Sequence, residues 1–255
     1  MTRRSPMRTL FARIRTRSGY VMFSDEVDSA QHAGPPQRLV WAAELVRPMA
    51  GARIVDVGCW TGALLALVEP LGPAELVGID LPGPWLCVAQ RAVPSATFLG
   101  VSSLTGLPAS FRHHFDGVFF LETLEHLPRG SQVSALRALA SLLAPGGKLV
   151  LSTPAAGISA PLDPAWLLVG HRHYRLKTVA AMLASAGLEV SCHHYSGNAW
   201  TSLDAMLLYS YKYVLHRSYS PSSMMAARTQ TGLYARRRLG SANIWVEARL
   251  PRGDP

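Results

Sequence analysis

Hydrophobic positions along the 255-residue chain follow two rhythms: short apolar runs of strand length, and longer stretches with apolar residues at helical spacing. Residues 38–46 carry an apolar helical face that stops near Pro48. The run Arg53–Val57 then reads as a strand ending at Gly58, and 63–71 as a buried helix. Further strands are predicted at Glu75–Asp80, 96–99, Phe115–Leu121, 148–152 and 188–194, with helices at 85–92, 131–143 and 178–186 between them. Such alternation means crossover βαβ units, and hence an α/β fold with a mostly parallel sheet covered on both faces. From 197 to 240 the alternation lapses, although 202–217 keeps Leu, Met and Tyr at helical spacing, and 243–250 gives a last strand. A connection of that length is far beyond a common loop and is expected to be a functional helical insertion that roofs a ligand pocket, the alternatives being a dimer contact or, with the basic N-terminal residues, attachment to an anionic membrane surface.

In sheets of this kind ligands sit at the carboxyl ends of the strands. That rule directs attention to Asp56 and Gly58, to Asp80, to the stretch from Gly100 to Ser103, to the stretch from Leu121 to His126, and to Thr153 and Pro154. The segment from Val55 to Gly62 joins a buried strand to a helix through two glycines, which permit a sharp turn and close approach of a ligand to the backbone. It lacks the third glycine of the dinucleotide fingerprint, so a nicotinamide enzyme is disfavoured. Asp80 ends the next strand, where a carboxylate can accept both hydroxyls of a ribose; the bland alternative is a cap on the following helix.

Composition narrows the picture further. With 49% hydrophobic residues the chain can bury one sizeable α/β core, but it is too short for two full domains. Cys59, Cys87 and Cys192 are widely spaced and form no metal-binding pattern, which points to reduced thiols in a cytoplasmic protein. No apolar run approaches the roughly 20 residues that span a bilayer, and the N-terminus has no signal-peptide core. Of the net charge of +9, residues 1–20 supply +6 and the chain from Lys212 onward another +6, leaving a body of −3. Basic ends could meet RNA, a phosphate-bearing substrate or an anionic membrane surface, or serve only as solvated tails.

Four segments in order, Val55 to Gly62, Gly78 to Asp80, Phe115 to Val118 with Leu124 to His126, and Leu143 to Leu149, resemble the successive motifs of class I S-adenosylmethionine-dependent methyltransferases. The likeness is nearest to the broad group that includes ubiquinone-pathway O-methyltransferases and natural-product and sugar methyltransferases. It implies a Rossmann-like seven-stranded sheet with an antiparallel last strand, a domain over 35–255 with the insertion at about 197–240, and a basic arm over 1–34. Carried over by position, Asp56, Gly58 and Gly62 would surround the methionine portion of S-adenosylmethionine, and Asp80 would hold the ribose. Leu81 would touch the adenine, Ser103 would lie near its amino group, and Leu121 and Glu122 would line the floor beside the sulfonium. Two departures stand out. Trp60 occupies a position that is small in many relatives and is expected to take an ordinary negative φ with its indole turned away from the ligand, and the usual acid near the adenine is replaced around Ser102 and Ser103.

Glu122, Glu125 and His126, with His171 and His173, resemble sets that hold Mg²⁺ or Mn²⁺ in some relatives, whereas in others Glu and His only stabilise the turn after the strand. His126 or His171 is a candidate general base, since imidazole titrates near neutrality. The leading reading is O-methylation of a small-molecule acceptor such as a natural product, phenol or sugar. An RNA methyltransferase and a non-catalytic cofactor-binding scaffold are the alternatives; no RNA-binding module is recognisable. Neither the acceptor nor the oligomeric state can be read from the residues.

Overall fold

In the computed structural model, which describes residues 37–46, 50–157, 172–197 and 242–251 together with Leu203, Met206, Leu207, Ser210 and Tyr211, strand residues alternate between two separate cores. Val55 and Val57 of β1 (Arg53–Val57), Val77 and Ile79 of β2 (Glu75–Asp80), and Val118 and Phe120 of β4 (Phe115–Leu121) point to one face. There they meet Leu136 and Leu139 of α4 (Gln132–Leu142) and Val179 and Leu183 of α5 (Leu176–Ser185). Their odd-even partners Ile54, Leu76, Phe119 and Leu121 point to the opposite face, against Trp41 of α1 (Gln37–Val46) and Leu64, Leu65 and Val68 of α2 (Ala63–Val68). A period of two within buried strands therefore produces a sheet with helices on both sides.

The remaining elements are α3 (Pro84–Ala92), β3 (Thr97–Gly100), β5 (Leu143–Pro154), β6 (Glu189–Ser196) and β7 (Asn243–Arg249). Strand order is β3-β2-β1-β4-β5-β7-β6, parallel throughout except that β7 runs antiparallel to both β5 and β6. This is the Rossmann-like architecture expected. The chain moves outward from β1 through β2 to β3, then returns to β4 on the other side of β1. The gap between the carboxyl ends of β1 and β4 is thus the topological switch point, where open α/β sheets bind ligands.

Most boundaries shift by one or two residues from the sequence reading, and two differences have a clear physical cause. The helix from Ala63 ends at Val68 and tightens into a 3-10 turn, Glu69–Leu71, because Pro70 has no amide hydrogen to continue the ladder. The strand expected at 148–152 begins at Leu143: Leu143 pairs with Phe115 and Lys148 with Gly117, so the intervening residues bulge from the ladder. Gly147 is required there, since a Cβ would stand 2.8 Å from the Phe115 carbonyl oxygen.

The basic arm and most of the insertion lie outside the described residues. Within the predicted helix at 202–217, the five described positions are helical, and Leu203 and Tyr211 are exposed. Among the described residues no helix is long and apolar enough to cross a membrane.

Candidate active site at the switch point

The turn after β1 is built on alternate positive φ angles, at Gly58 (φ 85°), Trp60 (47°) and Gly62 (75°). Gly58 has no room for a side chain: a Cβ would lie 2.2 Å from Thr123 Oγ1, in the loop after β4. The two sides of the switch point are therefore in contact through a glycine. Backbone hydrogen bonds fix the turn, with the Gly58 and Cys59 amides donating to the Ile79 carbonyl (2.7 and 3.2 Å) and the Gly62 amide to the Cys59 carbonyl (2.8 Å).

Trp60 departs from expectation. Its φ is positive, because its amide must donate to Asp80 Oδ2 at 2.7 Å across the turn while its neighbours Gly58 and Gly62 hold left-handed conformations. Asp80 Oδ1 accepts the Leu81 amide, also at 2.7 Å. Asp80 is not the cap of α3; the residue before that helix is Gly83, with no side-chain cap bond. Each carboxylate oxygen of Asp80 keeps lone-pair capacity for another donor, and burial raises the carboxyl above its ordinary pKa while these hydrogen bonds oppose the rise.

Asp56, 4% exposed, accepts no hydrogen bond from the described residues. Burial, and secondarily the charge of Asp80, pushes its pKa up to about 8. Burial also raises the thiol of Cys59. Leu81 is half-buried and Ser103 exposed, in the loop after β3, so the sequence-predicted residues Asp56, Gly58, Gly62, Asp80, Leu81 and Ser103 all fall on the carboxyl edge of β1, β2 and β3. The glycine turn, an acidic strand end and the Trp60 indole N–H, which has no acceptor among the described residues, fit the charges of S-adenosylmethionine.

Across the switch point, Leu121 is buried and Glu122 takes a positive φ of 48°. Ser152 at the end of β5 donates to Glu122 Oε1 at 2.6 Å, and Thr153 donates to Glu125 Oε2 at 3.0 Å. Glu125 is 3% exposed, and burial together with the charge of Glu122 raises its pKa well above its ordinary value. His126 is half-buried in the 3-10 turn Leu124–His126. Arg172 clamps this turn, donating to the carbonyls of Glu125 (3.1–3.2 Å) and Leu127 on either side of His126. Thr123, Ser152 and Arg172 were not singled out from sequence; only their contacts, made across long stretches of chain, reveal them.

Glu125, buried, held by Thr153 and with its carboxyl pushed upward in pKa, is poorly placed to ligate Mg²⁺ or Mn²⁺, and among the described residues no three His, Cys, Asp or Glu side chains gather to hold an ion. His173 Nδ1 lies 3.1 Å from the Ala155 carbonyl, and His171 is outside the described residues. Beyond the end of β5 opens a cavity of about 460 Å³, lined by Ala155, Ala156, Tyr174, Arg175, Lys177 and Tyr195. Since β6 runs parallel to β5 through β7, Tyr195 brings the cavity to the same carboxyl edge as Asp80 and Glu122.

Comparison with known proteins agrees with this geometry. Residues 36–193 match the family model described as a methyltransferase domain. A ubiquinone biosynthesis O-methyltransferase of Xanthomonas axonopodis pv. citri is 37% identical over 174 residues, covering 62% of this chain and 71% of the relative. Among solved structures, the CcbJ methyltransferase from Streptomyces caelestis superposes with a TM-score of 0.59 at 17% identity, over 85% of this chain and 97% of that one. A Burkholderia thailandensis N1-methyltransferase with 1,6-didemethyltoxoflavin and S-adenosylhomocysteine bound gives 0.57 at 15%, over 89% and 84%.

Proposed function

The chain belongs to the class I S-adenosylmethionine-dependent methyltransferases, and from that premise we propose that it methylates an oxygen of a small-molecule acceptor, bound in the cavity beyond β5. The observation that carries this reading is the meeting of two unlike halves at one switch point: a backbone-built acidic corner at β1 and β2, and a side-chain-built corner with an adjoining cavity at β4 and β5. The O-methyltransferase relative supports oxygen as the acceptor atom.

Bound cofactor supplies a methyl group on a sulfonium, and transfer is an in-line displacement in which alignment of the nucleophile matters most. Asp80 holds the ribose hydroxyls, Asp56 and the glycine turn enclose the amino-acid end, Leu81 and Ser103 border the adenine, and Leu121 with Glu122 forms the floor. His126, held between the two carbonyls gripped by Arg172, takes the proton from the acceptor hydroxyl; His171 is the second candidate. No step is assigned to a metal. Residues 35–255 form the catalytic unit with an insertion at about 197–240, and 1–34 a basic arm.

Incubation with methyl-labelled cofactor and fractionated host extract tests this reading. Label is expected in a small molecule, in an ether or ester linkage, and should disappear with Asp80→Ala, whose cofactor affinity should fall about 100-fold, from loss of roughly 3 kcal/mol of hydrogen bonding. Label in RNA would instead assign the basic ends to substrate binding, and cofactor binding without any label would favour a scaffold.

A further inference from the structure

Trp60 combines three features that do not normally coexist in a core residue. It takes a left-handed φ of 47°, which bulky L-residues avoid and which persists mainly where the surrounding structure enforces it. Its indole N–H is buried and has no acceptor among the described residues, although buried indoles usually find one. It also lies between Gly58 and Gly62, in the turn that encloses the amino-acid end of the cofactor in the reading above, on which this inference rests.

The turn's own donors sharpen the point. Glycine-rich turns ordinarily meet an anionic ligand with backbone amides, but here four are consumed internally. The Gly58 and Cys59 amides go to Ile79, that of Gly62 goes to Cys59, and that of Trp60 goes to Asp80. The nearby carboxyls Asp56 and Asp80 can meet hydroxyls or an ammonium, and they repel a carboxylate once they ionise, which for Asp56 is above about pH 8. The side-chain donors left in the turn are the Thr61 hydroxyl, the Asp56 carboxyl while it holds its proton, and the indole N–H of Trp60, and of these the indole is the one buried with no acceptor among the described residues. Trp85 also has a buried indole N–H, but it is turned toward the Asp80 carboxyl, whose pKa it lowers, and its ring packs against Gly83 ahead of α3.

We propose that the indole N–H of Trp60 donates a hydrogen bond to the carboxylate of the methionine moiety of bound cofactor, and so recognises the amino-acid end of the ligand. Trp60 thereby adds one side-chain donor to a turn in which four amides are bonded internally. The strained φ is the cost of aiming the indole from a position fixed by the Asp80 contact.

The test is calorimetric titration of the wild-type protein and Trp60→Phe with S-adenosylhomocysteine and with 5′-methylthioadenosine, which keeps the nucleoside and thioether but lacks the amino-acid end. Trp60→Phe keeps an aromatic ring and removes the N–H. Its affinity for S-adenosylhomocysteine should fall about tenfold, or about 1.4 kcal/mol, while 5′-methylthioadenosine binding stays within about twofold of wild type. Trp60→Gly, which adopts the left-handed φ without strain, should show the same selective loss and melt no lower than wild type, so a folding defect in the Phe variant does not hide the result. Unchanged S-adenosylhomocysteine affinity in both variants, or equal weakening of both ligands, overturns the proposal while leaving the cofactor site standing. Failure of the wild-type protein to bind either ligand overturns the cofactor reading and this inference together.

Discussion

The two corners of the switch point are built by different means. At β1 and β2 the geometry is local: residues from Asp56 to Leu81 position one another, chiefly through backbone hydrogen bonds and glycines packed against neighbours. At β4 and β5 it depends on side chains distant in sequence, with Ser152 on Glu122, Thr153 on Glu125, and Arg172 on the turn that carries His126. A corner made of backbone keeps its shape through many substitutions, which suits a ligand shared across a family. A corner made of side chains changes with each of them, which suits an acceptor that differs from one enzyme to the next.

The largest expected effect probes the acidic half. Asp56 holds its proton up to about pH 8 in the folded chain, whereas in the unfolded chain it ionises near pH 4. Between these values the native state binds more protons than the unfolded state, so stability should fall as pH rises from about 4 to about 8 and then level off, by a total of the order of 5 kcal/mol. Asp56→Asn, neutral and of similar shape, should lack this slope and exceed wild type in urea midpoint at pH 9, with little difference at pH 4. Parallel stability profiles for the two proteins would mean that Asp56 ionises normally. The same proton must leave before the carboxylate can pair with the ammonium of the cofactor, so affinity should rise with pH toward 8.

The sequence makes the first corner readable because its determinants are local. A buried run ending in Asp56-Val-Gly58, and a second ending in Asp80, place a glycine turn and a carboxylate side by side once the strands are parallel neighbours. What escaped was the backbone state of Trp60, since residue type argues for negative φ, and only the Trp60–Asp80 hydrogen bond, 20 positions apart, forces the opposite. At the second corner Glu122, Glu125 and His126 were visible as a cluster, but not their chemistry. The sequence does not say that Ser152 and Thr153 arrive beside them, so a metal site and a hydrogen-bonded turn look alike until β4 and β5 are paired.

A second, smaller effect tests whether the corners are mechanically joined. Gly58→Ala sets a Cβ 2.2 Å from Thr123 Oγ1 at a φ of 85°, so strain and overpacking together should cost about 3 kcal/mol. Adding Thr123→Ala removes Oγ1 and Cγ2 but leaves Cβ at 3.1 Å. The double variant should therefore regain about 1–2 kcal/mol, with the φ strain remaining. Additive losses in urea melts would show that Thr123 moves aside without resistance and that the glycine serves the turn alone.

The smallest effect addresses the acceptor half by itself. Thr153→Val keeps the volume of a fully buried side chain and removes its hydrogen bond to Glu125 Oε2, at a cost of about 1 kcal/mol in stability. That bond opposes the rise in the Glu125 pKa, so its loss raises the pKa further. It also loosens the turn bearing His126, which Arg172 then holds through its carbonyl contacts alone. Acceptor turnover is expected to fall about threefold with the calorimetric affinity for S-adenosylhomocysteine unchanged, because no bond of the β1–β2 turn involves Thr153 or Glu125. An equal drop in cofactor affinity would mean that Thr123, touching Gly58 from the same loop, transmits the disturbance across the switch point, and that the division between a backbone-built and a side-chain-built corner does not hold in energy.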